Sequence, residues 1–205
     1  MILIFFGPPG AGKGTQASLI SNKLYIPHIS TGEILRKKLL DADLLSLKIK
    51  KVIDSGNLVS DDILNKLVSN RLNNLDCKNG FILDGYPRTL SQNNYLEEYL
   101  KNKKLHISNI FELFIDKEVI VKRINFRSNI ENRQDDKEEI IKIRIKKYAE
   151  ETRPLSDYYS LNYSENYNVI NGNQEIEMIQ EDILKIVKKW GFSMINTCFL
   201  TWLLC

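Results

Sequence analysis

The stretch Met1 to Gln16 reads MILIFFGPPGAGKGTQ and decides the fold. Its apolar run, Met1 to Phe6, is too short for a buried helix and has the Ile and Phe content of a covered parallel strand. A glycine-rich turn follows at once, and Thr15 to Leu24 predicts a helix. A strand, a glycine-rich turn and a helix in this order predict an α/β domain that binds a phosphate group.

The turn itself has the composition of a phosphate-binding loop. Its glycines permit positive φ and a close approach of the backbone, so that successive N–H groups can converge on an anion: Gly7, Gly10, Gly12 and Gly14. Lys13 adds a mobile positive charge, and the helix N-terminus adds unpaired N–H groups. The pattern departs from the Walker A loop because Gly14 stands between Lys13 and Thr15. A purely structural turn is the alternative, and the lysine argues against it.

Composition narrows the class of protein. The chain has 205 residues, of which 43% are hydrophobic, so one globular domain with a single core is expected. The net charge of +3 is mild and basic residues are mixed with acidic ones, which does not indicate a nucleic-acid surface. The cysteines, Cys77, Cys198 and Cys205, have neither the spacing of a zinc site nor the even number of a disulfide framework. With no signal peptide ahead of the first strand, a cytoplasmic location is expected.

The run Phe81 to Asp84 predicts a further buried strand, and this strand ends in a carboxylate. Open α/β sheets bind ligands at the carboxyl ends of their strands. Asp84, together with Thr15 of the loop, is therefore the predicted site for Mg²⁺ on the phosphates, directly or through water. The alternative for Asp84 is a cap of the turn that follows it.

Several separated segments resemble the adenylate kinase family. The run GPPGAGKGT, with its additional glycine, is similar to the loop of nucleoside monophosphate kinases, and FILDGYPRTLSQ is similar to a second signature of the family. The segments STGEILR and GNLVSDDIL resemble the two edges of its nucleoside monophosphate (NMP) insertion. The resemblance covers 1–190 and implies a doubly wound, five-stranded parallel sheet of the P-loop type, flanked by helices.

The resemblance also implies two small attachments to this body. They are a helical NMP-binding insertion over 30–59 and a short lid loop over 127–133. Only Ser128 to Asn132 stands where other members carry a long lid, and no cysteine lies near it, so no structural zinc is expected. The apolar tail, 191–205, is shorter than the ~20 residues of a membrane helix and has no assigned role.

The resemblance assigns binding residues by position. For ATP it implies Gly10, Gly12, Lys13, Gly14, Thr15, Arg127, Asn171 and Gly172. For AMP it implies Thr31, Gly32, Arg36, Leu58, Val59, Gly85, Arg88, Gln92, Arg133 and Arg144. Its catalytic set is Lys13, Arg88, Arg133 and Arg144. Structural alternatives stay open, since Arg36 can be a solvated helix charge and Leu58 and Val59 can be hinge packing. The later arginines can lie on a solvent-facing amphipathic helix.

The implied activity is Mg²⁺-dependent, reversible transfer of the γ-phosphoryl group of ATP to AMP, giving two ADP, in adenine nucleotide homeostasis. A monomer without a nucleic-acid or membrane partner is expected. Thr31 with Gln92 favours AMP, because an amide carries the paired donor and acceptor that adenine requires. A UMP/CMP kinase is one alternative, with the same short lid and arginine set. A nucleotide-binding protein without catalysis is another, and the arginines argue against it.

Overall fold

A computed structural model describes residues 1–131 and 138–188, without the side chains of 129–131. Its strands are β1 (Ile2–Phe6), β2 (His28–Ser30), β3 (Phe81–Asp84), β4 (Asn109–Phe114) and β5 (Tyr167–Asn171). They form one five-stranded sheet in the order β2-β3-β1-β4-β5. Every neighbouring pair is parallel, and Phe5 lies opposite Asp84 in the register of β1 and β3. The predicted fold class is confirmed.

Helices connect these strands. They are α1 (Lys13–Leu24), α2 (Thr31–Leu39), α3 (Leu44–Asp54), α4 (Asp61–Leu72), α5 (Leu90–Asn102), α6 (Lys117–Glu131), α7 (Glu138–Lys147), α8 (Pro154–Asn162) and α9 (176–188). A short 3₁₀ helix covers Leu75–Cys77, and a π-helical turn, Tyr148–Thr152, joins α7 to α8. None of the helices described has the length and apolar character needed to cross a membrane.

The core lies on both faces of the sheet because successive side chains of a strand point in opposite directions. In β1, Ile2, Ile4 and Phe6 join one buried cluster with residues of α4, α5 and α8. Leu3 and Phe5 join the other, with residues of α1, α6 and α9. Every residue of β1 is buried, as expected for a central strand of a parallel sheet covered on both sides. The loop that follows β1 is thereby attached to a fully buried central strand.

The sequence predicts a strand over Tyr25 to Ile29, with Pro27 at an edge or strand end, and a helix over Lys117 to Phe126; the structure begins the first and ends the second at other residues. The strand predicted over Tyr25 to Ile29 is β2, which begins at His28 because Tyr25 ends α1 in a left-handed conformation. Pro27 immediately precedes this edge strand, which agrees with its predicted strand-end position. The helix predicted to end at Phe126 continues to Glu131, since its next residues include neither glycine nor proline. It therefore enters the segment predicted as a lid loop.

The sequence also predicts a helix over Asp61 to Leu72 that is capped by Ser60, and a break at Pro154. Ser60 occupies the N-cap position of α4, but its side chain makes no capping hydrogen bond there. Asp61 and Asp62 supply the negative charge that favours a helix N-terminus. The break at Pro154 is present, since the π-helical turn ends at Thr152 and α8 begins at Pro154, where the missing N–H is not needed.

The sequence has a tyrosine-rich patch, Tyr158, Tyr159, Tyr163 and Tyr167, which predicts packing rather than a stacking platform for bases, and the structure shows such packing. Tyr159 is fully buried, and its ring meets those of Tyr158 and Tyr163 edge-on with centroids 5.7 Å apart. The Tyr158 and Tyr163 hydroxyls donate to Glu97 on α5, and the Tyr159 hydroxyl donates to the Asn93 Oδ1 at 2.6 Å. These contacts join α8 to α5 on one face of the sheet.

Candidate active site

A cavity of about 1030 Å³ opens at the carboxyl edge of the sheet. It lies above β1 and β3, the adjacent strands that end in the glycine-rich loop and in Asp84. The connection after β1 runs through α1 to β2 and the connection after β3 runs through α5 to β4, in opposite directions across the sheet. The carboxyl ends of β1 and β3 therefore form the switch point where open α/β sheets bind ligands. Residues of α2, α6, α7 and the segment 56–59 complete its walls.

The glycine-rich loop forms the floor of this cavity. Gly12 is the N-cap of α1 and has a φ of 89°, a conformation that favours glycine. The Lys13 Nζ donates to the carbonyl oxygens of Gly7 and Pro8, each at 2.8 Å. A Cβ atom added to Gly14 would lie only 3.3 Å from Asp84 Oδ2, so this extra glycine lets the loop approach the carboxylate closely.

Lys13 and Asp84 form the electrostatic centre of the site. Burial lowers the pKa of Lys13 to about 7, which Asp84 opposes and the charges of Arg88, Arg144 and Arg127 reinforce. Burial alone would raise the pKa of Asp84, but a hydrogen bond from His28 and the charge of Lys13 lower it overall. The His28 Nε2 lies 3.2 Å from the Asp84 Oδ2. Asp84 thus faces the cavity as a carboxylate rather than capping the next turn.

Arginines come to this centre from separate elements. Arg88 follows β3, Arg127 lies on α6 and Arg144 lies on α7, and each lines the cavity. The Arg88 Nε donates to the carbonyl oxygen of Gly85 at 2.9 Å. The Arg36 guanidinium lies over Gly32, since a Cβ added to Gly32 would be 3.1 Å from the Arg36 Nη1. A site with this density of planar cations suits a ligand with several phosphate groups.

The far end of the cavity is polar but carries few charges. Thr31 is buried, and its hydroxyl donates to the carbonyl oxygen of Gly85 at 2.9 Å. The Gln92 side chain is fully buried and its Oε1 accepts from the backbone N–H of Arg88 at 2.8 Å. Leu58 and Val59 add apolar surface at the same end. This combination of an amide, a hydroxyl and apolar groups suits a nucleotide base.

Comparisons with known proteins agree with this geometry. A family model described as adenylate kinase matches residues 5–164. Adenylate kinases of Brucella melitensis biotype 1, Brucella ovis and Brucella canis are each 42% identical to the chain over 193 residues. Each alignment covers 91% of this chain and 98% of the relative. The chain belongs to the adenylate kinase family.

Family membership gives the site residues their context. The cavity brings together most of the residues that the sequence predicted for the two nucleotides: Gly10, Gly12, Lys13, Gly14, Thr15, Thr31, Gly32, Arg36, Leu58, Val59, Asp84, Gly85, Arg88, Gln92, Arg127 and Arg144. Arg133 lies outside the described residues, as does the tail 191–205. Their predicted roles stay predictions.

Asn171 and Gly172 do not line the cavity of this adenylate kinase family member. Asn171 ends β5, and the N–H of Gly172 donates to the carbonyl oxygen of Phe114 at 2.7 Å, which ties this turn to β4. The next residues along the loop, Asn173 and Gln174, reach the cavity instead. The predicted contact of Asn171 and Gly172 with the base of ATP stays a prediction.

Sequence reasoning also missed some cavity residues. Arg123 lines the cavity on α6, one turn before Arg127, and its Nη2 lies 3.4 Å from the carbonyl oxygen of Gln174. The i,i+4 spacing of Arg123 and Arg127 places both on one helix face and could have revealed it. His28, which partners Asp84, gave no such signal, because their proximity depends on the pairing of β2 with β3.

Proposed function

We propose that this chain transfers the γ-phosphoryl group of ATP to AMP reversibly, giving two ADP. One observation carries the proposal: a single cavity joins a phosphate-binding loop to a pocket with the groups that recognise a base. Arg88 and Arg144 line the same cavity and lie close enough to Lys13 for their charges to lower its pKa. A donor and an acceptor nucleotide that enter from opposite ends would meet with their phosphates at this cluster.

The chemistry needs little from a general base. The acceptor is a phosphate anion near neutral pH, so positioning and charge neutralisation have to supply the rate. Lys13 and the loop N–H groups would hold the phosphates of ATP, while Arg88 and Arg36 would hold the phosphate of AMP. Arg127 and Arg144, with Arg133 as predicted from the sequence, would stabilise the negative charge that spreads over the oxygens of the transferred group.

Mg²⁺ is part of the proposal, and the residues present fit it. The Thr15 hydroxyl and the Asp84 carboxylate both line the cavity beside the phosphate loop. A single carboxylate with a hydroxyl leaves most positions to water and phosphate oxygens, which is the arrangement that Mg²⁺ prefers at nucleotide sites. When bound, the ion would neutralise charge on the phosphates and fix their geometry.

Two segments would close over the site. They are the NMP-binding insertion, 30–59, which contains α2 and α3, and the lid segment, 127–133, whose residues up to Glu131 belong to α6. Exclusion of water would protect ATP from hydrolysis until the acceptor is bound. The proposal also includes a cytoplasmic monomer without structural zinc, which rests on the resemblance and on the spacing of the cysteines.

The direct test is ADP formation from ATP and Mg²⁺ with AMP, CMP, UMP and GMP compared as acceptors. Turnover that is confined to AMP, or far faster with it, is the expected result. Preference for CMP or UMP would keep the phosphoryl-transfer mechanism and overturn the assignment of the base. Failure with every acceptor, in protein that is folded by circular dichroism, would refute the proposed activity.

A further inference from the structure

Asp61 is a half-buried carboxylate that accepts a hydrogen bond from Gln92, the residue proposed to recognise the base. Its Oδ1 accepts from the Gln92 Nε2 at 2.7 Å, and its Oδ2 accepts from the Thr89 hydroxyl at 2.9 Å. Thr89 in turn caps α5 by accepting from the backbone N–H of Gln92 at 3.1 Å. The three residues form a closed set of hydrogen bonds between the first turns of α4 and α5.

This set fixes which end of the Gln92 amide is oxygen and which is nitrogen. A carboxylate only accepts hydrogen bonds, so the group that faces Asp61 has to be the Nε2. A backbone N–H only donates, so the group that faces Arg88 has to be the Oε1, which lies 2.8 Å from that nitrogen. An exchanged amide would place donor against donor and acceptor against acceptor at both contacts. The network therefore excludes the exchanged orientation.

An amide with a fixed orientation offers a base one donor and one acceptor in one order. Each end of the Gln92 amide retains one group for a further hydrogen bond: a second N–H on Nε2 and a second lone pair on Oε1. Adenine presents an amino group beside an unprotonated ring nitrogen, which matches this donor and acceptor pair. Hypoxanthine and guanine present a carbonyl beside a ring N–H, which reverses the order. Turning the base over would move its ribose to the other side of the pocket.

We propose that Asp61 is a specificity-determining positioning residue. It holds the Gln92 amide so that the site accepts bases with an amino group beside a ring nitrogen and rejects bases with a carbonyl beside a ring N–H. The inference rests on the proposed function in one respect, namely that Gln92 faces the acceptor base. It goes beyond that function because Asp61 selects the base without contacting it.

The test compares AMP with IMP, which differ only at the 6-position and the adjacent ring nitrogen. Dissociation constants from calorimetry and steady-state kcat and KM are measured for the full chain, for Asp61→Ala and for Asp62→Ala. Asp62 is the matched control, because it is an exposed aspartate in the same first turn of α4. In the wild type, IMP is expected to bind at least about a hundredfold more weakly than AMP.

Asp61→Ala should weaken AMP binding about tenfold and lower the AMP to IMP selectivity by about tenfold or more. Most of the loss should fall on the KM for AMP and little on kcat, because Asp61 does not face the transferred phosphate. Asp62→Ala should leave the selectivity unchanged. Should Asp61→Ala fail to fold, Asp61→Leu serves, since it keeps the bulk of the side chain and offers no acceptor to Gln92 or Thr89, and selectivity should again fall.

The outcomes separate this inference from the proposed function. Turnover with AMP whose selectivity over IMP survives both Asp61 substitutions would overturn the role of Asp61 and leave the kinase activity intact. Wild-type protein that binds IMP as tightly as AMP would overturn it as well. Preference for CMP over UMP in the wild type, lost in Asp61→Ala, would support it while refuting AMP as the acceptor. Because binding is measured directly, protein without turnover still gives a result.

Discussion

The two ends of the cavity are built on different principles. The phosphate end is held by charge: Lys13, Asp84 and the arginines act on one another through space, and burial lowers the pKa of Lys13 to about 7. The base end is held by short hydrogen bonds among mostly neutral groups, such as Thr31 to Gly85 at 2.9 Å and Gln92 to Arg88 at 2.8 Å. Phosphate recognition therefore depends on the number of cations. Base recognition depends on the direction of the hydrogen bonds and on the order of donors and acceptors.

This difference decides how each end responds to substitution. Loss of a cation from the phosphate end removes stabilisation that grows as charge spreads in the transition state, so kcat falls. Loss of a hydrogen bond from the base end removes binding that substrate and transition state share, so KM rises. Substitutions at the two ends should therefore differ in the kinetic parameter that they change.

The largest effect is expected from Arg88→Ala at the phosphate end. Arg88 lines the cavity beside Lys13 and approaches from the turn after β3. Removing an arginine that stabilises a transferring phosphoryl group costs about 10³-fold or more in kcat. Steady-state kinetics with ATP and AMP measure the loss, and circular dichroism checks the fold. Arg153→Ala is the control, because Arg153 is an exposed arginine that does not line the cavity. Turnover that stays within a factor of about three of the wild type would end the role given to Arg88.

A smaller and differently distributed effect is expected from Thr31→Val at the base end. The substitution keeps the shape of a buried side chain and removes the hydroxyl that donates to Gly85. The KM for AMP should rise by about tenfold, the cost of one lost hydrogen bond, with kcat and the KM for ATP nearly unchanged. Thr31→Ser should restore the wild-type KM because it retains the donor. An equal rise in the KM for ATP would contradict the separation of the two ends.

The same contrast explains what the sequence could predict. Lys13 lies at the end of the loop after the buried strand β1, and Asp84 ends the buried strand β3. The carboxyl ends of parallel strands lie at one edge of the sheet, so the proximity of the two residues was predictable. The five-stranded parallel sheet was predictable for a similar reason, because strands alternate with helices along the chain. Arg123 could also have been predicted from its i,i+4 spacing to Arg127.

The residues of the base end were harder to predict from the sequence. Asp61 and Gln92 are 31 residues apart, and only the packing of α4 beside α5 brings their side chains within 2.7 Å. No local pattern marks Asp61, which reads as one of two acidic residues that favour a helix N-terminus. Asn173 and Gln174 were equally hard to predict as cavity residues, since the length of β5 decides which residues of the next turn reach the cavity.

The smallest predicted effect tests whether charge governs the phosphate end, through the pH dependence of nucleotide binding. With a pKa of about 7, Lys13 of the free protein loses its proton as pH rises above neutrality, whereas bound phosphates stabilise the charged form. The affinity for ATP should therefore fall by about fivefold from pH 7 to pH 8, as the protonated fraction drops from about one half to about one eleventh. Calorimetry in buffers of different ionisation enthalpy should detect proton uptake on binding in this range. Lys13→Arg supplies the comparison, because a guanidinium stays charged at both pH values and its affinity should change less. If both proteins lose affinity equally between pH 7 and pH 8, the pH dependence comes from titration of the nucleotide rather than of Lys13. In that case Lys13 is not partly neutral at pH 7.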